Sequence, residues 1–270
     1  FVALVCARER ATDYGATRTG LQGATTELVV YVSSQSHSSV EKAALLAGFG
    51  RLQLRVVPVD EHYAMSPAAL EQLLVADRAA GRQPCAIVAT CGTTATTALD
   101  PIDSLAQLAA QYQCWLHVDA ALAGSAMVVP ECRKLWEGIE AADSLVVNPH
   151  KWLGVAFDCS TYYVRDVEHL VRVMSSNPSY LQTTADGTEP NYRDWGVPLG
   201  RRMRSLKLWF VIREQGVAGL QTRIRRDLGY AQWFAAAVDA APEWRRLAPV
   251  PLQTVCVRHE PAGLFGEALD

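Results

Sequence analysis

Metal-ligand spacing is missing from this sequence. Its six histidines include no HxxxH pair and its seven cysteines no CxxC, which argues against a zinc site. The cysteines (Cys6, Cys85, Cys91, Cys114, Cys132, Cys159 and Cys256) mostly fall in apolar segments. They read as small buried residues of a protein kept in a reducing, cytoplasmic compartment. No apolar run approaches the ~18 residues of a membrane span, and no secretory leader pattern opens the chain. Basic excess is also lacking: the formal net charge is −3, which gives no phosphate-binding face for nucleic acid. Neither repeats nor low-complexity tracts occur. What remains is a chain of 270 residues, half apolar and one-fifth charged, the balance of a globular enzyme with a sizeable core.

Strand-like and helix-like segments alternate, which is the α/β pattern. Strands are expected at 28–32, 54–59, 85–90, 115–119 and 144–147, with 161–164 as an antiparallel addition. Ser38-Ser39-Val40-Glu41 has the S-x-x-E form of a capping box opening a helix. Ser66-Pro67 places a capping hydroxyl and a first-turn proline before another. Asp100-Pro101 opens a third, with Ile102, Leu105, Leu108, Ala109 and Tyr112 on one face. Helices are expected over about 202–216 and 217–241, and a last strand near 252–257. The stretch 175–195 is polar and rich in Pro and Gly, the composition of a functional loop. The large domain is taken as 1–205 and the beginning of a smaller C-terminal domain as 206–270. Phe1-Val2-Ala3-Leu4-Val5 starts within an apolar pattern and Glu267-Ala268-Leu269-Asp270 stops without a closing element, so the expectation is an excerpt of a longer chain.

In open α/β sheets, ligands lie beyond the carboxyl ends of the strands. Three such ends carry chemistry here: Thr94 in a Gly-Thr-Thr loop, Asp119, and His150-Lys151. A lysine there could simply be solvated, and a lone aspartate could be structural. Together, on consecutive strands, they form the pair that pyridoxal phosphate requires. An amine forms a Schiff base with its aldehyde, and a carboxylate keeps its pyridine nitrogen protonated. A carboxylate ~4 Å from that nitrogen, at an effective dielectric near 20, contributes roughly 4 kcal/mol, or about three pKa units.

Five stretches resemble the group II pyridoxal-phosphate-dependent decarboxylases, and within them the aromatic-L-amino-acid branch. These are Gln35 to Ala43, His117-Val118-Asp119-Ala120-Ala121, Asn148-Pro149-His150-Lys151-Trp152, Phe157-Asp158-Cys159-Ser160 and Pro198-Leu199-Gly200-Arg201-Arg202. The resemblance implies fold type I, the aspartate-aminotransferase-like α/β fold, with a mostly parallel mixed sheet flanked by helices and the start of a smaller C-terminal α+β domain. It implies Lys151 as the Schiff-base lysine, Asp119 as partner of the pyridine nitrogen, and His37 as the imidazole stacked on the ring near the substrate carboxylate. His37 could otherwise be read as a helix-start residue. The resemblance further makes Thr94 a cofactor contact and Ala121 the small residue under the ring. Asn148 and His150 would flank the cofactor, Asn148 alternatively serving as a turn residue before Pro149. Ser144 becomes a candidate phosphate contact. Tyr180 matches a loop tyrosine that protonates Cα, which favours amine over aldehyde as product; a plain surface tyrosine is the alternative. Gly200 matches a glycine that accompanies indole substrates in plant relatives. Arg201 and Arg202 could be surface or ion-paired residues. The family also has an N-terminal segment wrapping onto its partner and a phosphate-binding loop, neither matched here. The implied whole is a homodimer with its site at the subunit interface, acting on an amino acid, with no nucleic-acid or membrane partner. The same cofactor with another substrate or an aldehyde product, or a non-catalytic scaffold homologue, would be the competing readings.

Overall fold

The computed structural model describes residues 1–176 and 189–263. A six-stranded sheet forms the centre, built from β1 (Leu28–Ser33), β2 (Leu54–Val57), β3 (Gln83–Thr90), β4 (Trp115–Asp119), β5 (Ser144–Val147) and β6 (Thr161–Val164). The spatial order is β2-β1-β3-β4-β5-β6. The first five strands pair in parallel and β6 pairs antiparallel with β5. This mostly parallel sheet, covered by helices on both faces, is the fold-type-I arrangement.

The two-residue alternation of a strand sorts the side chains between the faces. On one face Val29, Tyr31, Ile87, Ala89, Leu116 and Val118 join a cluster with Leu70 and Leu74 of α4 (Pro67–Ala79) and Ile102 and Leu105 of α5 (Ile102–Tyr112). On the other, Val30, Val32, Ala86, Val88 and Trp115 pack on Leu4 of α1 (Val2–Ala11) and Val40 and Ala44 of α3 (Ser38–Leu46). Leu170 of α6 (Val167–Met174) closes that face. A sheet buried on both sides reads as continuous apolar runs, as β1 and β3 do. Each fully buried aliphatic side chain contributes about 1.5–3 kcal/mol. A short helix α2 (Gly15–Thr19) follows α1.

The chain from Arg204 to Asp239 (α7) is helical but broken at Gly216, whose backbone (φ 63°, ψ 173°) is not helical. Only glycine enters that region without strain, and the break falls where the sequence separates two helices. The second segment puts Leu220 and Ile224 in the interior. A two-stranded antiparallel ribbon, β7 (Trp244–Arg246) and β8 (Val257–His259), follows. β8 lies later than the strand expected near 252–257, because Leu252 is drawn fully into the main core instead. α6 and β7 were not expected; both are short, and α6 carries its apolar face in only two turns. Among the described residues no helix is long and apolar enough to cross a membrane.

Capping follows the sequence at one helix and departs from it at another. The Ser66 hydroxyl accepts the Ala69 amide (3.3 Å), with Pro67 in the first turn. At α3 the cap is His37 rather than Ser38: its Nδ1 accepts the Ser39 amide, so the helix begins one residue earlier than the capping box implies. At α5 the capping carboxylate is diverted. Asp100 is buried and accepts the amides of Met65 and Thr90, both at 2.7 Å, tying the turn before α4 to the end of β3.

Burial pushes the Asp100 carboxyl up to about 6. A folded-state value above the unfolded one means that this group's contribution to stability is complete below about pH 4 and is lost as pH rises through about 6. We predict that Asp100→Asn flattens the pH dependence of the urea midpoint between about pH 4 and 6. Parallel curves for the two proteins would contradict this assignment.

Candidate active site

The strand order reverses between β1 and β3, since β2 lies outside β1 while β4 and β5 extend from β3. Crevices form at such switch points because the chain leaves the sheet in opposite directions. A cavity of about 1050 Å³ opens there, at the carboxyl ends of the parallel strands. His37 follows β1, Thr94 follows β3, Asp119 ends β4 and Lys151 follows β5; all four line it, together with Ala121 and Asn148.

Backbone pairing brings these groups into one place. Asp119 is in register with Val146 across β4 and β5, and beyond the strands the Asn148 amide donates to the Ala121 carbonyl (3.0 Å). The turns carrying the carboxylate and the amine are thereby joined. One oxygen of Asp119 accepts the Ala121 amide at 3.0 Å, which fixes the carboxylate's orientation and leaves its other oxygen available. No hydrogen bond or ion pair among the described residues engages the Lys151 amine. Asn148 adds a buried Oδ1 that has no hydrogen-bond partner among the described residues, and a buried acceptor left open is costly unless a ligand fills it.

The lysine-bearing turn is held from outside the sheet. Arg223 of α7 donates to the carbonyls of Trp152 (3.2 Å) and Leu153 (2.5 Å), and the Trp152 indole donates to Asp227 (3.0 Å). Gly154 has φ +74°, and a Cβ there would run into the Arg223 guanidinium. Farther along, Arg204 pairs with Asp158 at 2.9 Å and holds its carboxyl down at about 2. Lys207 caps the Ala156 and Asp158 carbonyls.

Two of the residues singled out from the sequence lie outside the cavity wall. Ser144 is buried, accepts the Trp115 indole N–H (2.8 Å) and lies 2.8 Å from His117 Nδ1. His150 turns its Nδ1 towards the Cys159 carbonyl (2.6 Å) and packs edge-on against Phe157. Tyr180 falls outside the described residues.

Other lining residues were not singled out, notably His117, Ser39, Tyr162 and Trp195. His117 was within reach of sequence reasoning: it lies two positions before Asp119 and so shares its face of β4. Burial pushes its imidazole down to about 4, against the pull of Asp119, so at neutral pH His117 brings no positive charge to the carboxylate. Asp119 therefore faces the cavity with no charged imidazole beside it on its own strand.

The donor set fits an aromatic aldehyde bearing a basic ring nitrogen. Lys151 offers a free amine, Asp119 an oriented carboxylate, Ala121 a small floor and His37 an imidazole face. Residues 1–260 match the family described as the pyridoxal-dependent decarboxylase conserved domain. The chain belongs to that family. Its cofactor is pyridoxal phosphate. Among curated relatives, a tryptophan decarboxylase of Camptotheca acuminata is 45% identical over 240 residues, covering 87% of this chain and 48% of that protein. An aromatic-L-amino-acid decarboxylase of Sus scrofa is 43% identical over 273 residues, covering 99% and 56%. The chain thus spans about half the length of the curated relatives it matches. A solved structure of Oryza sativa TDC with PLP and tryptamine superposes with a TM-score of 0.90 at 40% identity, covering 97% of this chain and 54% of that one.

Removing the lock behind the lysine turn is expected to be costly. Arg223→Ala should lower folding stability by about 1–3 kcal/mol, since it leaves two carbonyls unsatisfied, and Gly154→Ala should be comparably damaging through strain at positive φ. Urea denaturation measures both; midpoints equal to that of the unmodified protein would contradict the lock.

Proposed function

We propose that this family member is a pyridoxal-phosphate-dependent decarboxylase that converts an aromatic L-amino acid into its amine and carbon dioxide. The observation carrying the proposal is the convergence of Lys151, Asp119 and His37 on one cavity at the switch point of the sheet. The aromatic substrate class is supported by the names of the relatives above.

When bound, pyridoxal phosphate supplies an electron-poor ring that accepts the pair released as carbon dioxide departs. The residues of this chain set the stage for that chemistry. Lys151 would hold the cofactor through its amine, and Asp119 would hold a proton at the ring nitrogen. His37 and Ala121 would pack against the ring, and Thr94 and Asn148 would supply polar contacts to it. In this reading Ser144 and His150 act from behind the wall, Ser144 by orienting His117 and His150 by fixing the start of the segment leading to β6. Tyr180 delivers the proton to Cα, and general acids of this kind contribute about 10²–10⁴ in rate. The protein works in the cytoplasm as a homodimer with its site at the subunit interface. Supporting this are exposed aromatic side chains along α7, including Trp209, Phe210 and Trp233, because large apolar patches mark interaction surfaces.

After incubation with pyridoxal phosphate and borohydride, mass spectrometry should find a pyridoxyl group on Lys151, and Lys151→Ala should lose it. Product analysis with dopa, tyrosine, tryptophan, phenylalanine and glutamate should give amine and carbon dioxide from the aromatic members. Peroxide and ammonia among the products would move the assignment to aldehyde formation, and a labelled lysine without turnover of any substrate would overturn the activity.

A further inference from the structure

Among the described residues the imidazole of His37 has two hydrogen-bond partners, both on one residue. The Ser39 backbone amide donates to Nδ1 at 3.2 Å, and the Ser39 hydroxyl lies 2.8 Å from the same nitrogen. A backbone N–H can only donate, so Nδ1 must present its lone pair. The imidazole proton then belongs on Nε2. That nitrogen has no partner among the described residues, and the ring lines the cavity beside Lys151 and Asp119.

We infer that Ser39 is a positioning residue that locks His37 in the tautomer with its proton on Nε2, making His37 a hydrogen-bond donor to an anionic oxygen of the ligand. The lock follows from helix geometry. His37 is the N-cap of α3 and Ser39 the second residue of the helix, so the amide that the cap must satisfy is one of the four that a helix leaves open. The capping role and the active-site role use opposite nitrogens of one ring, so they do not compete. The hydroxyl of Ser39 adds a second donor to Nδ1 and, being rooted on α3, fixes the ring plane as well as the tautomer. Turning the ring over to offer Nδ1 to the ligand would leave the Ser39 amide unpaired and drive two N–H groups together.

The ligand chemistry follows from the donor. On the decarboxylation proposed above, on which this part of the inference rests, the acceptor is the substrate carboxylate, and Nε2–H holds it beside the ring through the charge-assisted type of hydrogen bond. Because the bond orients the departing group, its loss should appear in kcat rather than in KM.

Two measurements test the assignment. The first needs neither substrate nor turnover: long-range proton–nitrogen correlation on the ¹⁵N-histidine-labelled protein, with His37 identified by the signal lost in His37→Gln. The expected pattern has the proton on Nε2 and a bare Nδ1, and Ser39→Pro, which removes the amide and the hydroxyl together at a first-turn position that tolerates proline, should move it towards a mixture of tautomers. A proton on Nδ1, or a Ser39→Pro pattern identical to that of the unmodified protein, would overturn the lock. The second is kinetic. Ser39→Pro, which removes both donors, should lower kcat about tenfold at unchanged KM, a size expected for loss of a charge-assisted contact, whereas Ser39→Thr, which keeps both, should retain the parent kcat. Unchanged kcat in Ser39→Pro would overturn the role of the lock in catalysis. Absence of decarboxylation in every form would defeat the proposed reaction and leave the tautomer result standing.

Discussion

The parallel pairing of β4 with β5 is the constraint on which the site depends. Register sets Asp119 opposite Val146, and the Asn148–Ala121 hydrogen bond carries the pairing past the strand ends. A carboxylate and an amine that are distant in sequence are thereby delivered to neighbouring turns of one cavity. A one-residue slip of β4 would turn Asp119 and His117 onto the opposite face, where Leu116 and Val118 now pack against the α5 side of the core. The apolar residues that hold the register therefore also hold the chemistry.

Around this pair, charge is arranged so that the ligand completes it. Asp119 is oriented by a backbone amide, and His117 stays neutral because burial outweighs the attraction of the carboxylate. A carboxylate in a partly enclosed wall favours a protonated ring nitrogen, since charge interactions strengthen as water is excluded. On the lysine side, the turn is fastened through its carbonyls to Arg223 and through the Trp152 indole to Asp227. These bonds hold the backbone, and among the described residues none engages the amine of Lys151. Rigid support behind a free reactive group is what positioning by a scaffold requires.

Much of this was legible in the sequence, for reasons that can be named. Long apolar runs bounded by turn residues gave β1, β3, β4 and β5, and the spacing of Ile102, Leu105, Leu108 and Ala109 gave α5. Lys151, Asp119 and His37 were visible because polar residues at strand ends stand out and because motifs around them resemble a known family. Short elements were not visible: α6 has two turns and β7 three residues, too few for a period to declare itself. The cap at α3 was misplaced by one residue because histidine is not among the usual capping types, and the pattern of Ser38 and Glu41 offered a stronger local alternative. Ser144 and His150 stand in motif positions next to cavity residues, but which neighbour a buried hydroxyl or imidazole contacts depends on tertiary packing. The partnership of Ser144 with Trp115 and His117 crosses between strands and has no local signature.

The central claim is that Asp119 and Lys151 grip opposite ends of one ring. The direct test is nitrogen NMR of the protein loaded with cofactor labelled at the pyridine nitrogen. A protonated ring nitrogen at neutral pH is expected in the unmodified protein, and a deprotonated one in Asp119→Asn, which keeps the bond to the Ala121 amide but loses the charge. An unprotonated nitrogen in the unmodified protein, or a protonated one that survives the substitution, would contradict the account.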